Sequence, residues 1–272
     1  MAMRLAFSTL GCPDWTIEQV AEGARRSGYE GVELRLLDGE IIPADLPAGR
    51  RAEIRRALSG LEICCLGTSC RFAYPDPAER ARDRAEAERY LALAAELGCP
   101  MIRVFGGNLA PGQPLDDGVA NIADSLRQLA PAAERAGVAV VLETHDAMSA
   151  GQAVHDVLAS VPSQAIAALW DSHHPYRMGE TVDQTWQLIG PRTRHVHVKD
   201  ARRQGDGWRL LPLGEGEVPV REMLAALHGH GWSGWVSLEW EKKWHPELAD
   251  PEEAFPQQAE LLRRYLRELG AL

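Results

Sequence analysis

A short apolar run followed by a longer, charged segment with helical spacing recurs eight times along this chain, and that repeat constrains the fold more than any other feature. The runs read as strands near Arg4–Ser8, Gly31–Leu34, Glu62–Gly67, Met101–Phe105, Val138–Glu143, Ile166–Asp171, Thr193–Val198 and Trp235–Leu238. Their starts are about 33 residues apart, the length of one strand–helix unit. A helical crossover returns the chain to the same edge of the sheet, so successive strands are parallel. Eight such units nearly exhaust 272 residues. The expected fold class is therefore α/β, a single-domain (β/α)8 TIM barrel over residues 1–272. An open doubly wound sheet is the competitor, but Ser8-Thr-Leu-Gly-Cys-Pro13 after the first strand is not the G-x-G-x-x-G turn such sheets use for dinucleotides.

Helix punctuation supports the same register. Thr16-Ile-Glu-Gln19 has the form of a capping box, and Gly28, Gly98, Gly137 and Gly231 each close a helical run just before the next strand. Ala78–Leu97, Leu115–Ala136 and Glu252–Leu269 carry apolar stripes wide enough to lie on a sheet. The long connections, Leu36–Pro47, Arg71–Pro77, Gly106–Pro114 and Ala201–Pro219, all follow strands. In a barrel they border the C-terminal face, where substrates bind.

Charge narrows the function classes. Twenty-nine Lys+Arg against 39 Asp+Glu leave a formal net charge of −10, which repels phosphate backbones and anionic lipid. No nucleic-acid partner and no membrane partner is expected. Five cysteines, Cys12, Cys64, Cys65, Cys70 and Cys99, form no C-x-x-C pair; they read as buried free thiols of a cytoplasmic protein. The first residues are too short and too quickly polar for a signal peptide, and no apolar run approaches a membrane span.

The chemistry lies where consecutive strands end. The fifth to eighth read Val140-Val-Leu-Glu-Thr-His145, Ala168-Leu-Trp-Asp-Ser-His-His174, His195-Val-His-Val-Lys-Asp200 and Val236-Ser-Leu-Glu-Trp-Glu241. Residues two apart share a face of a strand. If Glu143 points into the barrel mouth, His145 does too; His197 brings His195 and Lys199, and Glu239 brings Glu241. Any one of these alone is most simply a helix cap, a rim ion pair or a satisfied core histidine. Four on successive strands, Glu143, Asp171, His197 and Glu239, converge on one opening. Three carboxylates at close range repel one another unless a cation lies between them. The oxygen-rich set suits one divalent metal ion, Mn²⁺ foremost, with Mg²⁺, Co²⁺ or Zn²⁺ as alternatives.

Those four residues, with Asp171-x-x-His174, His197-x-Lys199-Asp200 and the Pro212-Leu-Gly-Glu-Gly216 turn, resemble the sugar phosphate isomerase/epimerase superfamily, the xylose-isomerase-like TIM barrels. The resemblance covers essentially the whole chain. It implies that Glu143, Asp171, His197 and Glu239 bind the metal and that Glu143 and Glu239 also form the catalytic acid/base pair. His174 and Arg203 match positions that contact substrate oxygens. Ser149 departs from the pattern, because those epimerases carry a glutamate there. His145, Lys199, Glu241 and, as an apolar wall, Trp15 are further substrate-binding candidates.

The expected function is a metal-dependent sugar or sugar-phosphate isomerase or epimerase in carbohydrate metabolism, acting on a small polyhydroxy carbonyl compound through a cis-enediolate. The rival is a lyase that dehydrates a keto-inositol or a dehydroshikimate-like acid. A non-catalytic binding subunit, or an endonuclease on the same barrel, are more distant readings; the charge opposes the latter. The resemblance allows a homodimer or homotetramer.

Overall fold

The computed structural model describes residues 3–271. Among them, eight strands close into a parallel barrel: β1 (Arg4–Ser8), β2 (Gly31–Leu34), β3 (Glu62–Arg71), β4 (Met101–Phe105), β5 (Ala139–Glu143), β6 (Ile166–Asp171), β7 (Thr193–Val198) and β8 (Trp235–Leu238). Ala6 pairs with Gly31 on one side and Ser237 on the other, which closes the ring. The expected fold class is the observed one. β3 runs four residues past its expected end, because a register break after Gly67 lets Arg71 pair with Phe105 on β4.

The main helices begin and end where their caps place them. α1 (Ile17–Ser27) opens on the Thr16/Gln19 capping box, and α1, α3 (Pro77–Leu97) and α4 (Leu115–Ala136) close on Gly28, Gly98 and Gly137, all left-handed. Between α1 and α3 lies α2 (Ala48–Ala57); α5 (Gly151–Ala159), α6 (His173–Arg177), α7 (Val182–Ile189) and α8 (Val220–Gly229) follow α4, and α9 (Pro251–Leu269) returns the chain beside α1. The segment after β7 departs from a plain loop. Asp200–Gln204 pairs antiparallel with Gly207–Leu211 across a Gly-Asp turn, forming a hairpin on the C-terminal rim.

Two apolar layers hold this frame. The larger lies between sheet and helices; the smaller fills the barrel floor with Ala6, Cys64, Cys65, Met101, Ala139, Val141, Ala167, Leu169 and Trp235. Burial of one such large side chain contributes ~1.5–3 kcal/mol, so the floor is a plug and not a pore. All five cysteines are free and buried, as expected.

Candidate active site

Above the apolar floor the inward positions change character. Alternation carries Val141 to Glu143 on β5, Leu169 to Asp171 on β6, His195 to His197 on β7 and Ser237 to Glu239 past the end of β8. One potential ligand atom from each of Glu143, Asp171, His197 and Glu239 lies within 4.8 Å of every other, and all four residues are buried. His197 Nδ1 is 3.2 Å from Glu143 Oε1 and 3.3 Å from Glu239 Oε1. Glu143 Oε2 and Asp171 Oδ2 are buried without a hydrogen-bond partner. Each of these oxygens faces a cationic side chain, Arg103 at 3.3 Å and Lys199 at 3.1 Å, and the donor set of three carboxylates and one imidazole fits a divalent cation.

Protonation reflects the same crowding. Burial and the neighbouring Glu239 and Glu143 raise Asp171 to about 6, against the pull of Lys199. Burial also opposes the charges of Glu143 and Glu239, yet both stay below the usual carboxylate range, Glu143 chiefly through Arg103 and Glu239 through His197 and Lys199. Burial works against a charged His197, but Glu239, Glu33 and Glu143 together lift its pKa well above the ordinary value. Lys199 Nζ lies 2.6 Å from Glu239, 2.6 Å from Glu241 and 3.1 Å from Asp171, so both Lys199 and Glu241 belong to the cluster.

The first half of the barrel supplies residues that sequence reasoning did not single out. Glu33, on β2, accepts at 2.8 Å from His195 and His197. The Arg103 guanidinium, from β4, is buried 3.3 Å from Glu143, donates to the Thr68 carbonyl and lies over the Phe105 ring. Arg35 donates to Gly67 O and Ser69 Oγ; burial and the adjacent Arg103 lower its pKa to about 10. The available signal was the alternation already applied to the later strands.

The other candidates lie in differing surroundings. His174 is drawn in: its backbone N–H donates to Asp171, its ring sits edge-on to His145 at 4.5 Å, and both ring nitrogens are buried without partners. Burial keeps it neutral. His145 borders His174 and Phe105, with Nδ1 3.0 Å from Asp146. The Trp15 indole donates to Glu252, meets Phe255 edge-on and presses on Gly23, so it fastens α1 to the start of α9. Arg203 stands on the exposed hairpin, opposite Trp208, and its backbone N–H donates to Glu217. Ser149 is buried; its hydroxyl donates to Asp146 O and accepts from Arg177.

Asp200 explains the Pro212–Gly216 turn. Its carboxylate accepts from the N–H groups of Ala201, Gly214, Gly216 and Val218. A Cβ at Gly216 would fall 2.1 Å from Asp200 Oδ1, so only glycine fits. Those amides anchor the rim and leave none of the four for a phosphate.

A family described as xylose isomerase-like TIM barrel matches residues 21–265. The chain belongs to this family. Relatives within it have different activities. A fructoselysine 3-epimerase of Escherichia coli is 24% identical over 250 residues, covering 87% of this chain and 90% of that protein. An inosose dehydratase of Geobacillus thermodenitrificans is 25% identical over 287 residues, covering 94% and 91%. Among solved structures, the IOLI protein with a bound zinc atom superposes with a TM-score of 0.85 at 18% identity, over 99% of this chain and 100% of that one. The family match thus agrees with the expected superfamily, while its members include both an epimerase and a dehydratase.

Proposed function

We propose that this protein is a divalent-metal-dependent isomerase or epimerase of a small sugar or sugar phosphate. The carrying observation is the placement of Glu143 and Glu239 on β5 and just beyond β8, flanking one imidazole nitrogen at 3.2 and 3.3 Å. Glu143, Asp171, His197 and Glu239 would hold the ion, with Mn²⁺ the first candidate and Mg²⁺, Co²⁺ and Zn²⁺ behind it. When bound, the cation supplies the Lewis-acid charge that favours a cis-enediolate over the carbonyl form.

The chain's own residues do the rest. Arg103 keeps Glu143 ionised, and His197 and Lys199 do so for Glu239, so either carboxylate is ready to take the proton next to a carbonyl. In an isomerisation the carboxyl so formed gives that proton back to the neighbouring carbon; in an epimerisation the other glutamate, first protonated from solvent, delivers its own proton to the opposite face while the first releases the one it took. His174 offers two unpaired ring nitrogens to substrate hydroxyls, and Phe105 and His145 border the same space. Five buried free thiols suit a reducing cytoplasmic setting.

A second reading, dehydration of a keto-inositol or a related keto acid, is favoured by the His145–Asp146 pair. Burial opposes a charge on His145, but the bond to Asp146, with Glu143 nearby, raises its pKa above the ordinary value. That makes a third acid in the mouth, which an elimination needs to protonate a departing hydroxyl. Proton exchange in D₂O separates the readings. A ketose that gains deuterium beside its carbonyl supports the isomerase or epimerase; loss of water with growth of enone absorbance supports the lyase. Glu239→Gln is expected to lower exchange by ~10²–10⁴-fold, the usual worth of a general base; undiminished exchange would remove Glu239 from its assigned role.

A further inference from the structure

The two nitrogens of His197 face different kinds of surroundings. Nδ1 has carboxylate oxygens from Glu143 and Glu239 at 3.2 and 3.3 Å. A tetrahedral cation with nitrogen and oxygen ligands at 2.0–2.2 Å holds those atoms ~3.3 Å apart. The Nδ1 side thus has the spacing of ligands around an ion. On the other side, Nε2 is 2.8 Å from Glu33 Oε2, and the same oxygen is 2.8 Å from His195 Nε2. That is hydrogen-bond spacing, too short for a second tetrahedral ion between them. Glu33, His195 and His197 are all fully buried, so no water competes for these bonds.

From this contrast we infer that Glu33 is a positioning residue: it accepts a hydrogen bond from the Nε2–H of His197, fixes the ring, and leaves the Nδ1 lone pair directed at the ion that Glu143 and Glu239 share. His195, through its own Nε2–H, holds the Glu33 carboxylate in place. The inference rests on the metal reading above but not on the reaction assigned to it. Glutamine at position 33 would keep one acceptor and add an amide donor, so it can satisfy the opposite tautomer of His197, with the proton on Nδ1 in competition with the ion.

The test uses ¹¹³Cd²⁺ as the probe with the whole protein labelled with ¹⁵N. One bound cadmium per chain, coupled to Nδ1 of a single histidine whose Nε2 still carries a proton, is the expected spectrum. Glu33→Gln is expected to fold and to bind cadmium tenfold to hundredfold more weakly, the range for loss of a carboxylate behind a metal-bound histidine. Coupling to Nε2, two cadmium ions per chain, or an unchanged dissociation constant in folded Glu33→Gln would each overturn the inference. If the variant fails to fold, the wild-type spectrum alone decides. No cadmium uptake would overturn it together with the metal site. The expected coupling without proton exchange in any ketose or keto-inositol would leave the inference standing and sink the proposed reaction.

Discussion

The two halves of the barrel divide the labour of one site. β5 to β8 end in acceptors, Glu143, Asp171, His197 and Glu239, gathered closely enough to share an ion. β2 to β4 contribute no member of that group. They send in Glu33, which meets His197, Arg103, which meets Glu143, and Arg35, whose charge is felt by Arg103. Arg103 offsets the charge of Glu143, and Glu33 orients His197. Gly67 sits at the junction, where a Cβ would lie 3.0 Å from the Arg103 guanidinium and 3.1 Å from Arg35. The later half therefore presents the chemistry, and the earlier half sets its charge and aim.

If that division is right, substitution in the later half should abolish binding more than folding. Asp171→Asn is expected to weaken Mn²⁺ binding by well over ~100-fold, more than the change of an outer residue, while the metal-free protein keeps its fold. In the wild type, Asp171 titrates near 6 and His197 well above its ordinary value, so both hold protons that a cation must displace. Above about pH 7 Mn²⁺ binding should release one proton, from His197; below about pH 6 the count should rise toward two, and affinity should fall correspondingly faster. Calorimetry in buffers of different ionisation heat reads that count. A constant count across this window would show that Asp171 is already ionised in the metal-free protein.

The earlier half should respond in the opposite sense. Arg103→Met removes the guanidinium beside Glu143 and leaves a buried carboxylate without its cation. Loss of one partner of a buried pair costs ~3–5 kcal/mol. The metal-free variant should therefore unfold at markedly lower denaturant than Asp171→Asn, and added Mn²⁺ should recover part of the loss through binding to the native state. Equal stability of the two variants would erase the distinction between presenting and supporting halves.

The same contrast governs what could be read before folding. The eight strands were legible because each apolar run and its cap are local in sequence. The cluster of Glu143, Asp171, His197 and Glu239 was legible because its members recur at equivalent strand ends. Glu33 was not, since its partners His195 and His197 lie 162 and 164 residues away and only barrel closure brings them within 2.8 Å. A lone Glu between Val32 and Leu34 looks like a solvated strand end. Arg103 was hidden for the same reason: an arginine in an apolar strand announces burial only when its counter-charge on β5 is known. Trp15 shows contacts that sequence position alone does not give. It follows β1 toward the mouth, but the notch at Gly23 and the acceptor at Glu252 draw the ring between helices.

Arg203 gives the smallest expected effect and the sharpest limit on the later half. Its position after His197 resembles that of a substrate contact, yet the residue stands on the exposed rim hairpin, with no side-chain partner among the described residues. Its cross-strand partner Trp208, on the same face of the hairpin, lies edge-on to His173 at 5.0 Å. Arg203→Ala should therefore change stability by less than ~0.5 kcal/mol, as exposed substitutions do, and leave KM within about twofold for an uncharged ketose. A tenfold rise in KM at constant kcat would mean that the hairpin swings over the mouth when substrate arrives, carrying Arg203 onto it. The chemistry of the later half would then extend beyond its strand ends, and the open rim seen here would be one of two states.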